Sequence, residues 1–312
     1  MSSNRQLKTK IQAVGNIKQI TRAMEMVAAT KMRKAQGVAL NARPYAKKSF
    51  ALLLHLLRHS GKEEMESVFF QNRKGDKIAL VVITSDKGLA GSFNSSVLRQ
   101  AARWGIDQTR EGSQVNIVAV GRKARDFFRK QGATIAAEFF KFSDIVTLAD
   151  ISPLVDWILQ AYEQKQYDKI VVCSNRFVSA LVQKVEIHPL LPLDVEELER
   201  VVAGIVPKTG KYSELVQQEQ GAEREVSYLL EPSREAILQT LVRDLIRVAI
   251  VHLIFESNAS EHSARMLAMK NATENAENMQ EELQLLLNKA RQGAITQELS
   301  EIVSAKEALT NE

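Results

Sequence analysis

Cysteine is almost missing. Cys173 is the single one in 312 residues, so no disulfide can close within the chain, and an internal thiol switch is excluded. A reducing compartment fits that usage. Long apolar runs are missing too. None approaches the ~18 residues that a membrane-spanning helix needs, and the longest candidate, Phe50–Leu57, is short and carries His55. The start of the chain lacks the apolar core of a signal peptide. Acidic residues are scarce at one end: Met1–Lys48 holds eleven Lys/Arg and one acid, Glu25. Glu256–Glu312 reverses the balance, with five Lys/Arg and ten acids. The net +5 therefore conceals two complementary ends. They are either two solvated helix faces, or surfaces that pair with each other or with an acidic partner.

The absence with most consequence is that of proline. Ser233–Ala308 has none, and its single glycine is Gly293. Ala, Leu, Glu, Gln, Arg and Met fill the stretch. At ~1.5 Å rise per residue, about 70 residues make a helix on the order of 110 Å long. No single small core buries such a rod, so it needs a partner helix or a surrounding assembly. Its apolar positions include Leu245, Val248, Leu253, Met266, Ala276, Met279, Leu283, Leu286, Ala290, Leu299 and Ile302. Ala259, Ala264, Ala268, Ala272 and Ala276 line the middle, and small residues admit a close neighbour.

The basic N-terminal segment, about Asn4–Leu57, offers that neighbour. Leu7, Ile11, Val14, Ile17, Ile20, Met24, Val27, Ala35 and Val38 recur at three and four, a spacing near 3.5 that predicts a coiled-coil seam. Pro44 predicts a kink or a join. Phe50–Leu57, apolar all round, is expected to pack on a domain.

Between the two ends the pattern changes. Ile78–Thr84 is a short, β-branched, continuous run and predicts a buried strand. A turn at Ser85–Gly88 and a helix over Asn94–Trp104 follow. Strands are predicted at Val115–Val120, Thr134–Phe140, Ile170–Cys173 and Leu181–Ile187. Helices are predicted at Arg122–Lys130 and Asp150–Gln164, the latter capped by Asp150 or Ser152 with Pro153 in its first turn. The alternation predicts an open, largely parallel α/β sheet. Pro189–Glu231 reads as a long connection, expected to be partly mobile, with a short helix near Asp194–Val202. A chain that leaves along one helix and returns along another makes an antiparallel pair, and the longer helix is expected to protrude.

No stretch reads as catalytic, and no cofactor or metal is expected. Gly204–Tyr212 (GIVPKTGKY) has five residues between its glycines where a phosphate loop has four, and Tyr212 replaces the Ser/Thr that would bind a metal. Gly88–Gly91 (GLAG) follows a strand but lacks the three-glycine spacing, and reads as a structural turn. His55 and His59 lack the companions of a metal site. Ser174–Asn175 has no His/Asp partner in view. The basic segment suits phosphate backbones, but Tyr45 is its only aromatic, so it offers no stacking platform.

Four stretches resemble one family. Ile20–Gln36 (ITRAMEMVAATKMRKAQ) is similar to the N-terminal helix of the gamma subunits of F-type ATP synthases. Asn258–Met269 (NASEHSARMLAM) and Asn288–Val303 (NKARQGAITQELSEIV) resemble that family's C-terminal helix, and Ser85–Asn94 (SDKGLAGSFN) its turn after the first strand. Pro189–Val226 matches poorly. Ala90 and Ser92 stand where Cys and Gly are common, and Gly293 where Ala is usual.

The resemblance implies a fold of α/β plus long helices: an antiparallel coiled coil of the N- and C-terminal helices with an inserted Rossmann-like α/β domain. The corresponding segments are a helix over 1–58, a domain over 75–190, a connection over 191–231 and a helix over 232–308. It implies a non-catalytic rotor in the central stalk, turned by a c ring inside a hexamer of alpha and beta subunits, beside an epsilon subunit. No nucleic acid and no membrane insertion are implied, and the place is peripheral, at the cytoplasmic face of the bacterial inner membrane. By similarity, Met24, Lys31, Arg33, Arg291, Gln292, Thr296 and Glu298 contact beta, while Tyr228 and Glu231 contact the c ring. A solvated charge is the other reading of Arg291. Outside this family, a coiled-coil scaffold or nucleic-acid-binding protein is the alternative, and a nucleotide-dependent enzyme on the α/β domain a third reading.

Overall fold

The computed structural model describes residues 4–58, 68–73, 75–141, 146–194, 231 and 233–310. Ten elements follow in order: α1 (Asn4–Arg58), β1 (Lys77–Ile83), α2 (Phe93–Arg110), β2 (Gln114–Val120), α3 (Arg122–Lys130), β3 (Ile135–Phe139), α4 (Leu148–Glu163), β4 (Lys169–Phe177), β5 (Gln183–Leu191) and α5 (Arg234–Thr310). The absence of proline does for α5 what composition demands: it is one helix of 77 residues. Ser233 starts it, its hydroxyl accepting from the Ala236 amide at 3.2 Å. The chain divides into two compact units, Met1–Val27 with Met266–Glu312, and Ala28–Arg265.

In the larger unit a five-stranded sheet runs in the order β3-β2-β1-β4-β5. The β1–β2, β1–β4 and β2–β3 pairs are parallel, and β4–β5 is antiparallel. The pleat sends alternate residues to opposite faces. Ala79, Val81 and Ile83 of β1 enter a core built with α4, the end of α1 and the first part of α5. Ile78, Leu80 and Val82 enter a second core under α2 and α3. The sheet is thus covered on both sides, as its continuous apolar strands require.

Phe50, Leu53 and Leu56 are buried in the first of these cores, so the apolar end of α1 packs on the domain as its composition predicts. Of the two expectations at Pro44, a join is overturned, since the helix continues through it to Arg58. An interior proline costs ~3 kcal/mol, and three large buried side chains downstream offset it. Other boundaries move: β4 runs on to Phe177 and β5 lies at Gln183–Leu191 rather than Leu181–Ile187. α2 extends to Arg110 rather than ending near Trp104. α4 begins at Leu148 rather than Asp150, because Thr147 is its cap. The Thr147 hydroxyl accepts from the Asp150 amide at 3.4 Å, and the Asp150 carboxylate accepts from the Thr147 amide at 2.9 Å. This reciprocal box satisfies two amides that a helix start leaves unpaired. Pro153 consequently lies beyond the first turn.

Gly121 joins β2 to α3 with φ +89°. A Cβ there would lie 2.3 Å from the carbonyl oxygen of Thr84. The close approach is functional for the fold. The Thr84 amide donates to the Val120 carbonyl at 2.8 Å, and the Thr84 hydroxyl accepts from the Ala124 amide at 2.9 Å. Only glycine fits such a backbone position without strain.

Candidate partner-binding surfaces

In the smaller unit, α1 and α5 run antiparallel. The Thr273 hydroxyl donates to that of Thr21 at 2.8 Å, and Lys18 Nζ lies 2.5 Å from Glu277 Oε1. Gln280 packs beside Gly15. As the α1 number falls by three, the α5 number rises by three or four, which fixes the direction and the register. Lys18 and Arg22 hold the Glu277 carboxyl below the usual carboxylate range, the Lys18 hydrogen bond first among the causes. The complementary charges of the two ends thus do meet, at an exposed pair that contributes little by itself.

The seam keeps only part of the one the apolar spacing predicts. On α1, Leu7 and Thr21 are buried, with Ile11, Val14, Gly15, Lys18, Met24 and Glu25 half-buried. Ile17, Ile20 and Val27 are more than half exposed, at 52%, 59% and 53%. On α5, Met269, Thr273 and Ala276 are buried and Gln280, Leu283, Leu287 and Ala290 half-buried. Met279 and Leu286, expected in the seam, are exposed. On α1 the seam runs Leu7, Ile11, Val14, Lys18, Thr21 and Glu25 in steps of four and three, and the predicted row leaves it by stepping three from Val14 to Ile17. Gln280 packs beside Gly15, and a threonine pair stands in the seam. Ile17, Ile20 and Val27, off this row, face outward. Thr21 donates to the Ile17 carbonyl at 3.0 Å, and the single Thr273 hydroxyl hydrogen is shared between Thr21 and the Met269 carbonyl at 2.9 Å, so their burial leaves no polar group stranded.

Carried to its end, this register sets Asn4 opposite Arg291. Residues 292–310 of α5 therefore have no described α1 residue across from them. Ile295, Leu299, Ile302 and Val303 are 46–65% exposed there. An apolar stripe of this kind in water marks a contact surface.

The larger unit has its own candidate crevice, at the carboxyl ends of β1 and β4. Strand order reverses there, and open α/β sheets take their ligands at that point. Here α5 itself fills it. The Ser260 hydroxyl donates to the Asn175 carbonyl at 3.5 Å, and the Ser263 hydroxyl to the Ala180 carbonyl at 2.6 Å. Arg265 donates to the Gly88 carbonyl at 3.3 Å and to Glu261 at 2.6 Å. Burial raises the Glu261 carboxyl against the opposing pull of Arg265. Ser85–Asn94 is correspondingly a structural turn. Its Asn94 side chain accepts from the Ser85 amide at 3.0 Å, and Asp86 accepts from the amides of Arg122 and Lys141 at 2.9 and 2.8 Å. Leu89 adopts φ +64° at its tip. Ser174 and Asn175 are buried among these contacts. The crevice-filling role of Ser260, Ser263 and Arg265 has no signal in the sequence, since it depends on where the sheet puts Asn175 and Gly88.

The residues expected to meet beta fall in separate places. Met24 and Lys31 are half-buried on α1, and Arg33 is exposed. Arg291, Gln292, Thr296 and Glu298 are exposed on the far end of α5. By register Met24 lies opposite Asn271, twenty residues along α5 from Arg291. That is ~30 Å of helix, so the structure does not bring Met24 and Arg291 together. Glu231 is exposed. Tyr228, His59, Gly204–Tyr212 and most of the predicted connection lie outside the described residues. Among the described residues no cluster of His, Cys, Asp or Glu suits a metal, and no helix is long and apolar enough to cross a membrane.

A sequence model of the ATP synthase family matches residues 3–309. The chain is 37% identical to the ATP synthase gamma chain of Pelotomaculum thermopropionicum over 309 residues, covering 99% of this chain and 100% of that one. It is 36% identical to the ATP synthase gamma chain of Chloroflexus aurantiacus over 312 residues, the full length of both. Its fold is similar to a chain in the rotor of the Euglena gracilis mitochondrial ATP synthase, with TM-score 0.59 and 18% identity, covering 94% of this chain and 98% of that one. A chain in the central stalk and c-ring structure of the Tetrahymena thermophila enzyme gives TM-score 0.55 and 23% identity, with 81% and 99% covered.

Proposed function

The chain belongs to the ATP synthase gamma-chain family, and on that footing we propose that it works as the central-stalk rotor of an F-type ATP synthase. The helices over 1–58 and 232–308 form the shaft, 75–190 the inserted domain, and 191–231 the connection. The shaft supplies no catalytic group. It couples ion-driven rotation of a c ring to nucleotide chemistry by presenting different faces to chemically identical beta subunits. Each face favours one conformation of its neighbour, and rotation exchanges them. Alpha, beta and epsilon subunits and the c ring are the partners, and the site of action is the cytoplasmic face of the bacterial inner membrane.

The observation that carries this reading is the apolar, exposed end of α5 beyond Arg291. A helix end left bare in the chain alone suits a sleeve of other subunits. Arg291, Gln292, Thr296 and Glu298 supply polar contacts on that segment, and Met24, Lys31 and Arg33 supply contacts from α1. Tyr228 and Glu231 serve the c ring. The filled crevice supports the non-catalytic part, since α5 stands where a nucleotide would bind.

Reconstitution tests the proposal. The isolated chain hydrolyses no ATP, and it restores hydrolysis to a mixture of alpha and beta subunits with which it co-purifies. Failure to co-purify sinks the proposal. Tight, steeply salt-dependent DNA binding in place of hexamer binding would favour a nucleic-acid scaffold instead.

A further inference from the structure

A group of ionisable side chains lies between α5 and the β4–β5 hairpin, away from the surfaces above. Arg176 comes from β4, Glu186 and His188 from β5, and His252 and Glu256 from α5. Lys184 shares their face of β5 at its exposed end, across the ladder from Arg176. Arg176 lies 3.3 Å from Glu186, and Glu186 lies 3.3 Å from His188. Glu256 has one charged-type neighbour within 4 Å among the described residues, His252 Nε2 at 3.7 Å. Their side chains are 13% and 6% exposed.

The charge count decides the protonation. Arg176 is always charged, and Glu186 already balances it. A charged Glu256 would be a second carboxylate in a site where Arg176 is the fixed cation among the described residues, Lys184 lying at the exposed end of β5. A charged His252 would face Arg176 and His188. Burying an uncompensated charge costs several kcal/mol, so such groups give up charge instead. The 3.7 Å gap between His252 and Glu256 exceeds hydrogen-bond length.

We infer that Glu256 is a proton-carrying clasp, uncharged when α5 is seated on the β4–β5 hairpin and loosening that seat when it ionises. Burial pushes the Glu256 carboxyl up to about 8, helped by Glu186 and opposed by Arg176. Burial, Arg176 and His188 push the His252 imidazole down to about 4.

The signs give a defined window. Glu256 contributes stability that is present below its unfolded value of 4.5 and is lost as pH rises through about 8. His252 contributes stability present above 6.5 that is lost as pH falls through about 4. Between about 4.5 and 6.5 the two slopes oppose and cancel. The net fall is then confined to about pH 6.5–8, at about tenfold in the folding constant per pH unit, or about 30-fold in all.

The test uses the full chain. Chemical unfolding is followed from about pH 5 to 9 in the wild type and in Glu256→Gln, and the Glu carboxyl carbons are followed by NMR with isotope-labelled glutamate. The expected result is a fall above about pH 6.5 in the wild type that Glu256→Gln removes, and a carboxyl resonance, missing from the variant, that titrates near 8. A Glu256 resonance already ionised at neutral pH overturns the inference, as does an alkaline fall of equal size in the variant. Should the variant fail to fold, the wild-type resonance alone decides.

Discussion

Replacing Leu299 and Ile302 together by serine separates what the chain needs alone from what it needs in its assembly. The two side chains are 57% and 65% exposed. They have no described α1 residue opposite, so the free chain forfeits little. Surface changes of this kind stay within about 0.5 kcal/mol, and chemical unfolding of the isolated variant should match the wild type to that margin. In the assembly the sum changes. Fully burying a Leu or Ile is worth about 1.5–3 kcal/mol, and about three-fifths of each side chain is still available. The two contribute about 2–4 kcal/mol together, or about 30- to 1,000-fold in affinity. Titration of a fluorescently labelled chain with alpha–beta hexamers reads that loss directly. Unchanged hexamer affinity would refute the assignment of the α5 end as a contact surface. A loss of more than about 2 kcal/mol in the isolated chain would equally refute it, by showing that the stripe already has a place within the chain.

Three further outcomes follow from local geometry. Gly121→Ala should destabilise the α/β unit by about 3 kcal/mol or more, because the backbone has φ +89° and the new Cβ meets the Thr84 carbonyl at 2.3 Å. Thermal unfolding checks it, and a shift within error would contradict the close approach. Thr21→Val and Thr273→Val should each cost about 1 kcal/mol, while the double variant costs less than their sum, since the hydrogen bond between the two hydroxyls is lost only once. An additive double-mutant cycle would break the proposed pairing. Cys173, buried and with its thiol pushed up to about 12, should resist thiol reagents in the folded chain and react only as fast as the chain opens. Rapid labelling under native conditions would contradict its burial.

Much of the fold is legible in local pattern. The strands announce themselves as short β-branched runs, and α5 as the stretch where proline stops. What escapes is any choice between equivalent patterns. A seam can step three or four, and from Val14 and Ala276 it steps four, to Lys18 and Gln280, past Ile17 and Met279; only the partner helix selects the step. The start of α4 is written in Thr147 and Asp150, but a cap at Asp150 or Ser152 competes with it in sequence. The Glu256 cluster is invisible along the chain, because β4, β5 and α5 bring together residues eighty apart. The candidate contacts divide likewise. Arg291 and Thr296 sit on an exposed end that length alone predicts, whereas the half-burial of Met24 comes from the seam.

Rotation tests the central claim most directly. With alpha–beta hexamers fixed to a surface and a bead attached to an exposed residue of the inserted domain, such as Leu181, ATP should turn the bead continuously in one direction. Hydrolysis by the assembled complex with a stationary or randomly turning bead would contradict the account.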